Sequence, residues 1–335
     1  MNILELVIIF SCIFIFSFLL TRYIIAFATA RDIVDIPNDR SSHTVTTPRG
    51  GGLSISLSLI VCLVFVMKTH NNIPDHLLLF TFCIMLISII GIVDDLRGLS
   101  IKIRASLYVL ISTVFISTVL NQNIFESYYF IILLIILLSW FINMYNFMDG
   151  ADAISSIQAI VCALPIAIIF SSINQNAFAV FCYGLTASSL GFVIWNWPQA
   201  KIFMGDVGSC VIGFVFGCLM IFTYLSNYFS LYIWFILLSF FIVDSSLTLV
   251  MRIIRREKWY KAHRSHSYQR VLQMGYSHKK LAIIFIIYAL LIQWPASYIV
   301  YKMSDVGVYI TAVIYIFLMC VWYVVQKKYR QITIR

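Results

Sequence analysis

Asp94 and Asp95 stand side by side at the end of an apolar run, in GIVDDLRGLS. Successive helical residues point about 100° apart, so the pair could divide two tasks, one carboxylate holding a metal ion and the other accepting a proton. The plain alternative is a pair of solvated carboxylates at a helix end, neutralised by Arg97. Further on, NMYNFMDGADA places Asn143, Asn146, Asp149 and Asp152 at every third position. Neighbours three apart share a helix face, and amides and carboxylates stacked this way suit a cation, ribose hydroxyls or a base edge. An interhelical hydrogen-bond ladder would use the same residues. In WNWPQAKIFMGDVGS, Gly205 and Gly208 flank Asp206. Glycines let the backbone approach a ligand closely, and the amides of the helix starting there would favour a diphosphate. Asn196 and Lys201, just upstream, are candidate substrate contacts.

Two basic segments add cations to these carboxylates. AHRSHSYQR holds His263, Arg264 and His266, which could bind phosphate oxygens, since arginine offers a planar fork and protonated histidine a donor. The arginines and lysine just before it read as a membrane anchor. DIPNDRSSHTVTTPRGGG carries Arg40, His43 and Arg49, then Gly50 to Gly52, a place for close backbone packing or an anion. Asp244, inside a later apolar run, reads as a packing residue with a local hydrogen bond, the alternative being a place near the site.

The elements that must position these residues are membrane helices. Of 335 residues, 61% are hydrophobic and 11% charged, against roughly half and a quarter in soluble domains. A span needs about 20 helical residues, and apolar runs lie near 3–22, 53–68, 76–93, 104–121, 128–146, 153–171, 177–195, 208–225, 229–251, 280–300 and 306–326. The fold class expected is therefore all-α, a polytopic transmembrane bundle of about eleven spans in one domain, 1–335. The first run lacks a basic leader, carries Glu5, and reads as a span. Every Lys and Arg except Lys68 and Lys302 falls on one set of connections. That asymmetry places the set in the cytoplasm, with the N-terminus outside and the C-terminus inside. The loops near 31–52, 94–103, 143–153, 196–209 and 252–279 share that face and hold all the clusters above. The net charge of +9 belongs to this pattern and does not indicate a nucleic-acid partner. The eight cysteines are scattered through apolar runs without a CxxC pair, as small packing residues.

Taken in order, PNDRSSH with TPRGGG, GIVDD, NxxNFMDGAD, FMGDVGS and the HRSH loop resemble the polyprenyl-phosphate N-acetylhexosamine-1-phosphate transferase family, the MraY/WecA superfamily. The resemblance covers nearly the whole chain. Two departures matter: Leu96-Arg97-Gly98 follows the aspartate pair, where many relatives carry a third Asp, and the late loop reads HRSHSYQ. The first departs from WecA-like members; the late loop, unlike those of MraY and WecA, is similar to the WbpL-like branch, which starts O-antigen and related surface glycans.

The resemblance implies transfer of a sugar 1-phosphate, N-acetylhexosamine or an N-acetylated 6-deoxyhexose, from a UDP-sugar to undecaprenyl phosphate at the bacterial inner membrane, releasing UMP. It implies Mg²⁺, or Mn²⁺, on Asp206 with Asp95 in support, and Asp94 as proton acceptor. Asn146, Asp149 and Asn196 would line the nucleotide pocket, with His263, Arg264 and His266 on the diphosphate or sugar. A two-step route through a phosphorylated Asp and a homodimer stay open. Phospho-MurNAc-pentapeptide transfer is the rival within the class. A transporter or lipid flippase is the rival outside it, but such proteins tend to show repeated halves and midplane carboxylates, and neither appears here. A CDP-alcohol phosphotransferase would need an arginine that DGADAISS lacks.

Overall fold

The computed structural model describes residues 3–37, 45–69, 76–120, 128–258, 260–261 and 263–333. Arg40 and His43 lie outside them. The described chain is helical apart from one small hairpin. It runs α1 (Ile3–Ala30), β1 (Val34–Asp35), β2 (Thr47–Pro48), α2 (Leu53–Thr69), α3 (His76–Arg97), α4 (Ile101–Leu120), α5 (Tyr128–Phe147), α6 (Ile154–Ser172), α7 (Asn176–Asn196) and α8 (Asp206–Leu225). There follow α9 (Tyr232–Leu237), α10 (Ser239–Ile254), α11 (Ser267–Gln273), α12 (His278–Tyr288), a π-helical turn (Ala289–Gln293), α13 (Trp294–Lys302) and α14 (Gly307–Thr333). β1 and β2 pair antiparallel, Val34 opposite Pro48.

Each apolar run of the sequence holds a helix, and among the described residues nine helices are long and apolar enough to cross a membrane. The other two runs fall short for different reasons. α2 cannot begin before the glycine turn and has 17 residues. The run near 229–251 is broken at Leu238, between α9 and α10. In lipid an unpaired backbone group costs several kcal/mol. Two buried glutamines from other helices meet that cost. The Leu237 carbonyl accepts from Gln158 Nε2 at 2.9 Å and Gln293 Nε2 at 2.9 Å, and the Ile236 carbonyl accepts from Gln293 at 3.2 Å.

α8 is the axis of the bundle. Its most apolar stretch is 89% buried, against 11% for α1 and 17% for the last helix. The outer helices turn Leu133, Leu291 and Val313 outward, as lipid-facing residues should. α3 and α5 flank α8, α4 packs on both of them, and the N-terminus of α8 is where the acidic residues converge.

Candidate active site

The first carboxylate cluster is built at the junction of α3, α4, α5 and α8. Asp94 and Asp95 occupy the last turn of α3 and diverge, as their angular offset requires. Asp94 accepts from the Leu99 amide at 2.5 Å and faces Arg104 of α4. The same Arg104 nitrogen, Nη1, lies 2.5 Å from Asp206 Oδ2. Asp206 also accepts from Asn146 Nδ2 at 3.1 Å, and the Ser209 hydroxyl stands 3.2 Å from Asn146 Oδ1. One cation thus ties two carboxylates from distant parts of the sequence, and an amide from a third helix braces one of them. The cation is Arg104; Arg97, the neighbour expected to neutralise the pair, is exposed.

Asp95 has a different task. It is 7% exposed, and its two oxygens accept from the amides of Asp206 at 3.2 Å and Val207 at 3.4 Å. These are the first amides of α8, so Asp95 caps that helix from a neighbouring one, with the N-terminal dipole in its favour. The α8 amides expected to face a diphosphate are therefore committed to Asp95. Gly205 allows the cap: its φ is +74°, and a side chain there would begin 2.5 Å from Asp95 Oδ2. The turn is completed by the TPRGGG segment. Gly51 and Gly52 donate to the carbonyls of Phe203 and Met204 at 2.9 and 2.8 Å, and Phe203 donates to Pro48 at 2.8 Å. Gly52 sits so close that a Cβ would fall 2.3 Å from the Gly208 Cα. The glycines serve backbone packing of one motif on another. Arg49, leading into this segment, is half-buried, and its Nε is buried without an acceptor among the described residues.

The three-residue spacing after Asn143 does not continue as a ladder. α5 ends at Phe147 because the chain turns at Gly150 and enters α6 through Ala153 at φ +64°. Asn143 donates back to Ser139 within α5 at 2.8 Å, so of the helical pair only Asn146 reaches the cluster. Asp149 lies in the turn, half-buried. Burial pushes its carboxyl well above the ordinary range; the Ser155 hydroxyl acts against this, and the charges of Asp206, Asp95 and Asp152 add to it. Asp152 accepts from the Ala200 amide at 3.2 Å and faces His278 Nδ1 at 3.2 Å. Asn196 is buried and occupied, accepting from the Ala153 amide at 2.9 Å and donating to Ile202 at 2.8 Å. Both hold loops together. Lys201 is exposed, its ammonium over the Trp195 ring at 5.2 Å.

The HRSH loop is set in place by a second cap of the same kind. Asp244 of α10 accepts from the Ser267 amide and hydroxyl at 2.8 and 2.7 Å and from the Tyr268 amide at 3.3 Å, closing the N-terminus of α11. The local hydrogen bond expected of Asp244 comes from Thr248 at 3.2 Å, but its bonds to Ser267 and Tyr268 reach far along the sequence and orient the loop. Tyr268 then carries the loop to the α5 turn, donating to the Phe147 carbonyl at 2.9 Å and accepting from the Gly150 amide at 3.0 Å. His266 stacks between Phe147 and Tyr268, with His263 4.9 Å away. His263 Nδ1 pairs with the Ser265 hydroxyl at 2.9 Å. Burial, helped by neighbouring His266 and Arg252, lowers the His263 pKa to about 3, so this imidazole is neutral at pH 7. Arg264 lines a separate cleft with Arg252, Arg270 and Tyr329. Arg104 and Tyr268 are the residues the sequence reading did not single out.

Asp94 and Asp206 share the Arg104 guanidinium while the Asn146 amide donates to Asp206; with Arg104 turned away, their oxygens would suit a small divalent ion. Mg²⁺ is usually held by one or two carboxylates, with water and substrate phosphate supplying the rest. Among the described residues no group of three or more His, Cys, Asp or Glu forms a closed metal cage, and such an open ion does not need one.

A model of glycosyl transferase family 4 matches residues 77–224, which include Asp94, Arg104, Asn146 and Asp206. The chain is 25% identical over 320 residues to a probable undecaprenyl-phosphate N-acetylglucosaminyl 1-phosphate transferase of Bacillus subtilis, covering 90% of this chain and 87% of that protein. It is 30% identical over 200 residues to the undecaprenyl-phosphate α-N-acetylglucosaminyl 1-phosphate transferase of Thermotoga maritima, 59% of this chain and 60% of that one. It is 29% identical over 201 residues to a phospho-N-acetylmuramoyl-pentapeptide-transferase of Prochlorococcus marinus, covering 53% and 54%. In the last two the match spans little more than half of the relative.

Proposed function

We propose that this chain, similar over residues 77–224 to glycosyl transferase family 4 and along most of its length to a probable undecaprenyl-phosphate sugar-1-phosphate transferase, is a membrane transferase of the MraY/WecA superfamily that moves a sugar 1-phosphate from a UDP-sugar to undecaprenyl phosphate at the cytoplasmic face of a bacterial inner membrane. The sugar is an N-acetylhexosamine or an N-acetylated 6-deoxyhexose, and the product starts O-antigen or another surface glycan. The names of the relatives support the acceptor and the reaction type. The observation that carries the reading is the bridge from Asp94 through Arg104 to Asp206, at the end of the most buried helix and on the face where the basic loops lie.

The reaction brings two phosphate anions together. An oxygen of the lipid phosphate attacks the β-phosphorus of the donor, the bond from that phosphorus to the bridging oxygen breaks, and UMP leaves with that oxygen. Alignment and charge neutralisation supply most of the catalysis in phosphoryl transfer. Asp206 would hold Mg²⁺ or Mn²⁺, which when bound would neutralise the diphosphate. Arg104 is placed to turn from its two carboxylates to the incoming phosphate, and Asn146 keeps Asp206 oriented. Asp94 is the candidate to take any proton on the lipid phosphate. Asp95 acts as a positioning residue through the α8 cap. Asp149, its carboxyl pushed well above the ordinary range by burial, faces the nucleotide from the α5 turn, and His263, neutral at pH 7, faces the sugar or diphosphate together with His266.

Purified protein incubated with undecaprenyl phosphate, Mg²⁺ and a panel of UDP-sugars tests the reading. Release of UMP, lost in Asp206→Asn, is the expected result. Release of UDP would indicate ordinary glycosyl transfer and overturn it. Including UDP-MurNAc-pentapeptide in the panel separates the rival donor.

A further inference from the structure

Beyond the carboxylate cluster, the cleft between α10, α11 and the C-terminal end of α14 is built as a receptor for an anion. It encloses about 550 Å³ and is lined by Arg252, Arg264, Arg270, Gln273, Met274 and Tyr329, with Glu257 and Ile332 at its edge. Its one carboxylate is already used, since Glu257 lies 2.7 Å from Arg252 Nη1. Gln273 is also occupied, donating to the Arg264 carbonyl at 2.9 Å.

Arg270 is the unexplained member. It is 9% exposed, its guanidinium carbon lies over the Tyr329 ring, 4.7 Å from the centroid, and its Nε and Nη1 have no acceptor among the described residues. The buried Nε of Arg252 is likewise without an acceptor. A buried donor left unpaired costs about 1–3 kcal/mol, more when charged. A guanidinium keeps its proton, so it cannot escape that cost by neutralising. The N–H groups of a guanidinium make charge-assisted hydrogen bonds to phosphate oxygens. We propose that this cleft binds a phosphate group, with Arg270 as the anchor and the Tyr329 ring as its backing. The setting favours a lipid as the source. α14 is a membrane helix, its apolar Ile332 is exposed beside the cleft, and Lys327, Lys328 and Arg330 surround its end. An anionic phospholipid of the inner leaflet would place its headgroup here with its acyl chains along α14. The inference does not depend on the transferase reading.

The test uses the full chain in neutral detergent, titrated by calorimetry with dihexanoyl phosphatidylglycerol, dihexanoyl phosphatidylcholine and inorganic phosphate. Phosphatidylglycerol should bind, phosphatidylcholine should not, and Arg270→Gln should weaken the former by about tenfold or more. Inorganic phosphate binding as tightly, and lost in the same variant, would keep the phosphate site but assign a soluble ligand. Met274→Glu leaves Arg270 in place and sets a carboxylate in the cleft; it should also abolish binding, and it decides the matter if Arg270→Gln fails to fold. Wild-type protein that binds neither probe, or folded variants that bind like wild type, would overturn the proposal.

Discussion

A guanidinium nitrogen shared between Asp94 and Asp206 is held in place by opposite charge from two helices, and it also holds those helices in register. Arg104→Gln should therefore lose transition-state stabilisation while leaving both carboxylates present. Removing one preorganised donor typically costs about 10²–10³ in turnover, and UMP release by purified Arg104→Gln should fall by that much, with Arg104→Lys recovering part of it. An unchanged rate would remove Arg104 from the site. Asp95 separates from its neighbour in another way. Asp95→Ala deletes a helix cap, worth about 0.5–2 kcal/mol, so it should lower the thermal midpoint as well as activity. Asp206→Asn should abolish activity with a smaller effect on that midpoint. His263 gives a pH signature. Its pKa in the fold, about 3, lies below its ordinary value of 6.5, so between those values the unfolded chain binds the extra proton. Its contribution to stability is complete above about pH 6.5 and is lost as pH falls toward 3. The thermal midpoint should decline over that window, and His263→Gln should decline less steeply. Sequence revealed the aspartates because carboxylates beside apolar runs are expensive and so conspicuous. It hid Arg104 because a basic residue at a span's end already has an explanation in membrane orientation. It hid Tyr268 because a tyrosine in a polar loop carries no spacing signal.

At the level of elements, hydropathy sufficed to locate the helices to within a few residues, except α1, which continues past Arg22 through further apolar residues to Ala30, and α14, which extends into polar sequence. What hydropathy could not show was the break at Leu238, since the residues around it are as apolar as those of an intact span. The compensating polar groups lie far away in sequence, on α6 and in the π-helical turn. This makes the break testable. Gln158→Leu or Gln293→Leu leaves the Leu237 carbonyl with one amide donor, while the double substitution leaves it only the weak Cys162 thiol donor at 3.3 Å. An unsatisfied buried acceptor costs about 1–3 kcal/mol, so the double variant should lose more stability in detergent than the two single losses added together. Simple additivity would show that the glutamines do not share this task. The apparent Asn143–Asp152 ladder failed for a similar reason, because the positive-φ turn at Ala153 overrode a spacing that looked helical. The packing of TPRGGG on GDVGS was visible as two glycine-rich motifs but not as one contact. Gly52→Ala would press a methyl against the Gly208 backbone, where neither side has a flexible atom to move. Overpacking of this kind costs about 1–3 kcal/mol. Because α8 carries Asp206, activity should fall together with the thermal midpoint.

For the whole molecule the remaining question is direction, since a bundle can be correctly packed and still be drawn upside down. Arg104, Asp94, Asp206, the HRSH loop and the cleft around Arg270 share one end of the bundle, and UDP-sugars are found in the cytosol. The proposed chemistry therefore requires that end to face inward, and the placement of nearly all Lys and Arg residues there argues for the same direction independently. Two exposed positions at opposite ends make the orientation measurable: Lys261, between α10 and α11, and Asp305, between α13 and α14. Among the native cysteines only Cys12 and Cys320 are exposed, so replacing those two by alanine gives a quiet background. In intact cells a membrane-impermeant maleimide should label Asp305→Cys and leave Lys261→Cys untouched until the membrane is opened. The reverse pattern would place the carboxylate cluster on the outer face, beyond the reach of a cytosolic nucleotide sugar. It would defeat the proposed reaction even if every helix contact were right, because the lipid phosphate and its donor would then meet on different sides of the membrane.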